Sequence, residues 1–83
     1  MKANVKLFAI LREKTGASDL VLELPSHATV ADLMVEMSRR YPALLEGIHH
    51  TMVAVNTEYV ESSHHLNDGD EVALIPPVSG GSR

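Results

Sequence analysis

Cysteine and tryptophan are absent, and Phe8, Tyr41 and Tyr59 are the only aromatic residues. A chain without cysteine forms no disulfide, holds no cysteine-ligated cluster and has no thiol nucleophile. With so few aromatics, the core must be built from aliphatic side chains. No apolar run approaches the roughly 18 residues that a membrane span needs, and no charged-then-apolar leader opens the sequence. These absences, with the reducing conditions that a cysteine-free chain suits, lead us to expect a cytoplasmic protein with no membrane association. Positive charge is also sparse: seven Lys and Arg stand against eleven Asp and Glu, for a formal net charge of −4. A nucleic-acid binder normally carries a basic stripe, so that class is set aside. Mild acidity suits a protein partner with a basic docking face, and equally an ordinary solvated surface.

What is present is a regular alternation of apolar and polar positions. Residues 3–10 alternate, with Val5, Leu7 and Ala9 on one face and Asn4, Lys6 and Phe8 on the other, the period-two signature of a half-buried strand. Leu11 to Thr15 reads as a short polar turn or single helical turn, closed by Gly16. Residues 18–24 alternate again, with Leu20, Leu22 and Leu24 facing in. Thr29 then stands as a helix N-cap with Asp32 three positions on, beside the positive end of the helix dipole. Val30, Leu33, Met34, Met37 and Tyr41 recur at spacings of three and four, an amphipathic stripe. Arg39 and Arg40 occupy its last turn and Pro42 stops it.

Residues 43–50 read as irregular. Residues 51–56 form a third strand with Val53 and Val55 on one face. Thr57-Glu58 reads as a turn and Tyr59-Val60 as a short edge strand. Asn67-Asp68-Gly69-Asp70 is strong turn chemistry, because Asp-Gly supplies a positive φ. Glu71 to Ile75 is the most apolar strand, and such runs lie at sheet centres. The order β-β-α-β-β-β, with the first and last strands as central parallel neighbours and the helix in the crossover between them, predicts an α+β fold of the β-grasp, ubiquitin-like kind. It has a mixed sheet of about five strands with one main helix on one face. We expect residues 1–76 to form this domain and residues 77–83 to form a flexible tail.

That tail, Pro77-Val78-Ser79-Gly80-Gly81-Ser82-Arg83, carries little side-chain chemistry. Its paired glycines let a backbone approach another protein's atoms closely, because no Cβ intervenes. Such an ending suits threading into a narrow site. Gly80-Gly81 precedes no helix, so it is not a phosphate cradle. No paired-carboxylate or Ser–His arrangement stands out. His27, His49-His50 and His64-His65 raise the possibility of a metal site. Neighbouring histidines on a strand point to opposite faces, however, and no cysteine or carboxylate cluster completes a ligand set, so no metal is expected. Phe8, Met52, Ala54, Ala73 and Ile75 share a sheet face if the alternation holds. Uncovered by the helix, that face would be an apolar docking surface.

Four stretches resemble a known family. They are Val5-Lys6-Leu7-Phe8-Ala9 with Leu11-Arg12-Glu13; Thr29-Val30-Ala31-Asp32-Leu33; Val53 to Val60; and Leu66 to Gly81, where Asp68-Gly69-Asp70-Glu71-Val72 leads into Pro76-Pro77-Val78-Ser79-Gly80-Gly81. The last is the most specific. The chain resembles the small subunits of molybdopterin synthase, the ubiquitin-like sulfur carriers of molybdenum cofactor biosynthesis. The resemblance implies a carrier that is not an enzyme by itself. An ATP-dependent, ubiquitin-activating-like adenylyltransferase would place AMP on the Gly81 carboxylate, with Gly80 giving access. Sulfur would then replace AMP to form a thiocarboxylate. The large synthase subunit would receive the tail, and sulfur would pass to a cyclic pyranopterin precursor to build its dithiolene. The resemblance further implies a heterotetramer of two small and two large subunits, with no stably bound cofactor. It also implies partner contacts through Phe8, Met52, Ile75, Pro76, Pro77, Val78 and Ser79.

Ser82 and Arg83 depart from the pattern, since they give Gly81 an amide in place of a free carboxylate. A cloning remnant, a segment trimmed by proteolysis and the stub of a fusion are all compatible with the sequence. Three alternatives stand beside the main reading: a sulfur carrier for thiamine, cysteine or tRNA thiolation, a ubiquitin-like modifier of protein lysines, and a plain interaction domain. Thiamine carriers tend to be shorter and to lack Leu11-Arg12-Glu13 and the Pro-Pro-Val-Ser ending.

Overall fold

The computed structural model describes residues 1–76. Strand β1 (Lys2–Leu7) pairs antiparallel with β2 (Asp19–Glu23), and the short helix α1 (Ile10–Thr15) lies in the connection. Helix α2 (Val30–Arg40) follows, then two 3-10 turns, Pro42–Leu45 and Ile48–His50. Strands β3 (Met52–Val55), β4 (Glu58–Tyr59) and β5 (Glu71–Ile75) complete one five-stranded sheet in the order β2-β1-β5-β3-β4. β5 lies at the centre, parallel to β1 and antiparallel to β3. This is the β-grasp, ubiquitin-like arrangement expected from the order of elements.

Helix α2 begins at a complete capping box. Thr29 Oγ1 accepts from Asp32 N–H and Asp32 Oδ2 accepts from Thr29 N–H, so two otherwise orphaned donors are satisfied. Two further first-turn donors are met by backbone carbonyls, Val30 N–H by His64 and Ala31 N–H by Ser62. The helix start is thereby tied to the loop ahead of β5. Val30, Leu33 and Met37 point into the core against Val5, Leu7, Leu22, Val72 and Leu74, all essentially without solvent access. Each such side chain stabilises the fold by about 1.5–3 kcal/mol.

Three local expectations change. β1 stops at Leu7, and Ala9 leaves the inner face to sit exposed at φ 52°, ψ −126°. Leu11 N–H donates to Phe8 C=O across it, closing a tight turn of the II′ kind into α1. The hairpin between β3 and β4 turns at Asn56-Thr57, one position earlier than expected. Both residues have positive φ, 50° and 75°, which is the I′ geometry that matches strand twist. The segment 43–50 is not irregular but carries the two 3-10 turns. The expected Asp68-Gly69 turn is present, with Asp70 N–H donating to Asn67 C=O and Gly69 at φ 85°.

Candidate docking face and C-terminal exit

The sheet has one face under α2 and, among the described residues, one face that α2 leaves open. Pairing sets the membership of the open face: Lys6 stands opposite Ala73, Ala73 opposite Ala54, and Ala54 opposite Tyr59. Met52 stands opposite Ile75 one row along. These residues form an apolar band across β5, β3 and β4. Met52 and Tyr59 are 49% and 64% exposed, Ala73 and Ile75 are half-buried, and Ala54, between Ala73 and Tyr59, is buried. Phe8, 46% exposed, follows Leu7, which pairs with Leu74, so its backbone lies beside the end of β5. Phe8, Met52 and Ile75 thus lie together where β5 delivers Pro76. Tyr59 joins the band although sequence reasoning had not included it. Its parity depends on the placement of the hairpin turn, and the positive-φ tolerance of Asn56 was the available signal.

The turn at the opposite end of β5 anchors that strand. Asp70 is buried, its Oδ2 accepting from Asn67 N–H at 2.8 Å and its Oδ1 from the Asn56 side chain at 3.0 Å. Lys2 N–H donates to Asp68 Oδ1 while Lys2 C=O accepts from Gly69 N–H, both at 2.7 Å. The acidic residues of this turn are therefore engaged in holding β1, β3 and β5 in register. Because β5 is also the central strand, the point at which the chain leaves it is fixed.

Elsewhere the charged residues pair on the surface. Glu36 accepts from both Arg39 and Arg40 on α2, and Lys14 Nζ sits 3.6 Å from Glu46. Hydrogen bonding from Arg39 is the main cause holding the Glu36 carboxyl below the usual carboxylate range; partial burial opposes it and the Arg40 bond adds to it. Among the described residues, no group of three or more His, Asp or Glu converges on a possible metal position. No helix among the described residues is long and apolar enough to cross a membrane. Of the expected site residues, Phe8, Met52, Ile75 and Pro76 are brought together. Pro77, Val78, Ser79, Gly80 and Gly81 lie outside the described residues, as does the expected tail 77–83.

A β-grasp domain whose central strand releases the chain beside an apolar sheet face has the architecture of ubiquitin-like proteins. The family model described as the ThiS family matches residues 5–81. The chain belongs to that family. A molybdopterin synthase sulfur carrier subunit of Arabidopsis thaliana is 40% identical over 98% of this chain and 84% of its own length. Its namesake in Escherichia coli is 38% identical over 94% of this chain and 98% of its own. The crystal structure of SAMP1 from Haloferax volcanii superposes with a TM-score of 0.89 at 32% identity, covering 98% of this chain and all of that one.

Proposed function

We propose that the chain is the sulfur-carrying small subunit of a molybdopterin synthase, with the Gly81 carboxylate as the point of attachment. The observation that carries this reading is the full-length similarity to molybdopterin synthase sulfur carrier subunits, in a chain whose Gly80-Gly81 follows shortly after a rigidly anchored central strand. Six extended residues from Pro76 to Gly81 reach roughly 20 Å, enough to enter a partner's site while the body stays docked outside.

The chemistry follows from the weakness of a carboxylate as an acyl donor. Its oxygen attacks the α-phosphorus of ATP and displaces pyrophosphate, giving a mixed anhydride with AMP. A sulfur nucleophile then attacks the acyl carbon and AMP leaves. Once sulfur is delivered as a thiocarboxylate, its transfer to the pterin precursor and attack by water restore the carboxylate. In this reading the adenylyltransferase and the large subunit would supply the general bases for these steps. The carrier would contribute a docking face through Phe8, Met52 and Ile75, and a thin tail through Pro76, Pro77, Val78, Ser79 and Gly80. The scheme needs Gly81 as terminus, so the bond to Ser82 must be hydrolysed first. A two-plus-two assembly with the large subunit in the cytoplasm completes the reading.

Intact mass spectrometry of the chain purified from its host, with the synthase operating, tests this. A species ending at Gly81 and heavier by one sulfur-for-oxygen exchange is expected. A chain still ending at Arg83, with no sulfur-bearing form, would overturn it. The match to SAMP1, an archaeal modifier by name, favours a second reading. Gly81 joined to lysine side chains of other proteins in the same preparation would select that reading.

A further inference from the structure

β2 is an edge strand. Its ladder to β1 is fixed by Met1 and Leu24, which exchange both hydrogen bonds, and by Leu7 N–H donating to Ser18 C=O. In antiparallel pairing, bonded and non-bonded pairs alternate. Residues 18, 20, 22 and 24 therefore turn their backbone groups toward β1, and Asp19, Val21 and Glu23 turn theirs outward. Among the described residues no strand pairs with that outer side. The edge has no backbone obstruction, since Asp19–Glu23 contains no proline, glycine or positive-φ residue; its only guard is the charge of Asp19 and Glu23.

The side chains of these three residues lie on the open sheet face, opposite Lys6, Asn4 and Lys2. Val21 is 55% exposed between two carboxylates. Lys6 pairs with Glu71 of β5, on the side away from Asp19, and no Lys or Arg forms an ion pair with Asp19 or Glu23 among the described residues. Across the sheet the rows read acid on β2 and base on β1, so the next strand outward is favoured with base again. A second copy does not meet that requirement. Full overlap of β2 with another β2 about Val21 sets Asp19 against Glu23 at both ends, and directly opposed like charges are destabilising.

We propose that the β2 edge is a docking site for an extended segment of another protein that joins the sheet as a sixth strand. The segment fitting it carries two Lys or Arg four positions apart with an apolar residue midway. Backbone bonds to Asp19, Val21 and Glu23 supply affinity, and the two cations against the carboxylates supply selectivity. The site is separate from the band around Phe8 and Met52, which β5 and β3 form.

The test is a titration of the nitrogen-15-labelled full chain with the peptide Thr-Lys-Thr-Val-Thr-Lys-Thr, acetylated and amidated, and with its counterpart carrying Glu at both Lys positions. The amides of Asp19, Val21 and Glu23 are expected to shift and to exchange more slowly, with the Lys peptide binding at least about tenfold more tightly than the Glu peptide. The double variant Asp19→Lys with Glu23→Lys, changed at exposed positions, is expected to invert that order. Val21→Pro removes only an outward N–H, which an edge strand tolerates, and is expected to abolish binding while the remaining spectrum stays folded. Unmoved amides on β2, equal response to both peptides, or shifts confined to the Phe8 and Met52 band would each overturn the proposal.

Discussion

The side-chain amide of Asn56 donates to Asp70 Oδ1 at 3.0 Å while its own oxygen accepts from Glu71 N–H at 3.0 Å. One residue of the β3–β4 turn thus clamps the start of the central strand. Asp70→Ala strands the Asn67 N–H and the Asn56 amide together and is expected to cost about 1–3 kcal/mol. A urea unfolding midpoint that falls with unchanged slope would show it. Asp70→Asn keeps one acceptor and should lose less.

Thr57 is a β-branched residue at φ 75° in a turn position that favours glycine. Such strain costs on the order of 1–3 kcal/mol, partly offset by the entropy a glycine adds to the unfolded chain. Thr57→Gly is therefore expected to raise the thermal midpoint by a few degrees, corresponding to roughly 1 kcal/mol. Ala9→Gly should act in the same direction at φ 52°. Calorimetry on both variants measures the two strains separately.

Phe8→Ala should weaken binding of the large synthase subunit about tenfold or more, as loss of a central aromatic anchor does. Because the side chain is half exposed, the unfolding free energy should change by less than about 1 kcal/mol. Val35→Ala, on the exposed side of α2, should leave binding unchanged. Loss of binding from Val35→Ala with none from Phe8→Ala would instead place the contact in the groove of about 810 Å³ between α2 and the β3–β4 edge, which Val35, Met52 and Tyr59 line and Phe8 does not.

Glu36 has a folded-state pKa below its ordinary value, first because Arg39 hydrogen-bonds its charged form. Its contribution to stability is then fully present above the unfolded carboxylate pKa and is lost as pH falls through the folded one. Glu36→Gln should lower the thermal midpoint at pH 7 and make no difference near pH 2. Added salt should shrink the neutral-pH effect, because the pairs are on the surface.

Periodicity and punctuation were enough to read most of the fold. The capping pair Thr29 and Asp32, the stripe Val30-Leu33-Met37 and the Asp68-Gly69 turn are local signals with local causes, and each stands where the pattern put it. The central place of β5 was legible because a strand buried on the core side and half-buried on the other must be apolar, as Val72 to Ile75 are. The faces of Phe8, Met52 and Ile75 followed from alternation within each segment; pairing then set Met52 opposite Ile75, with Phe8 following the last paired residue of β1.

Other features depended on long-range geometry. Apolar alternation ran on through Ala9, but Phe8 and Leu11 close a turn there that leads the chain into α1, so the alternation outlasted the strand. The hairpin turn moved by one residue because strand twist selects a positive-φ pair, and Asn56 is tied to Asp70 and Glu71 from a distant segment. That shift is what brought Tyr59 onto the open face. The unpaired edge of β2 has no local mark at all. Which side of Asp19, Val21 and Glu23 faces outward is fixed only by the pairing of β2 with β1, because a strand's sequence specifies the faces of its side chains but not which neighbour takes its backbone hydrogen bonds.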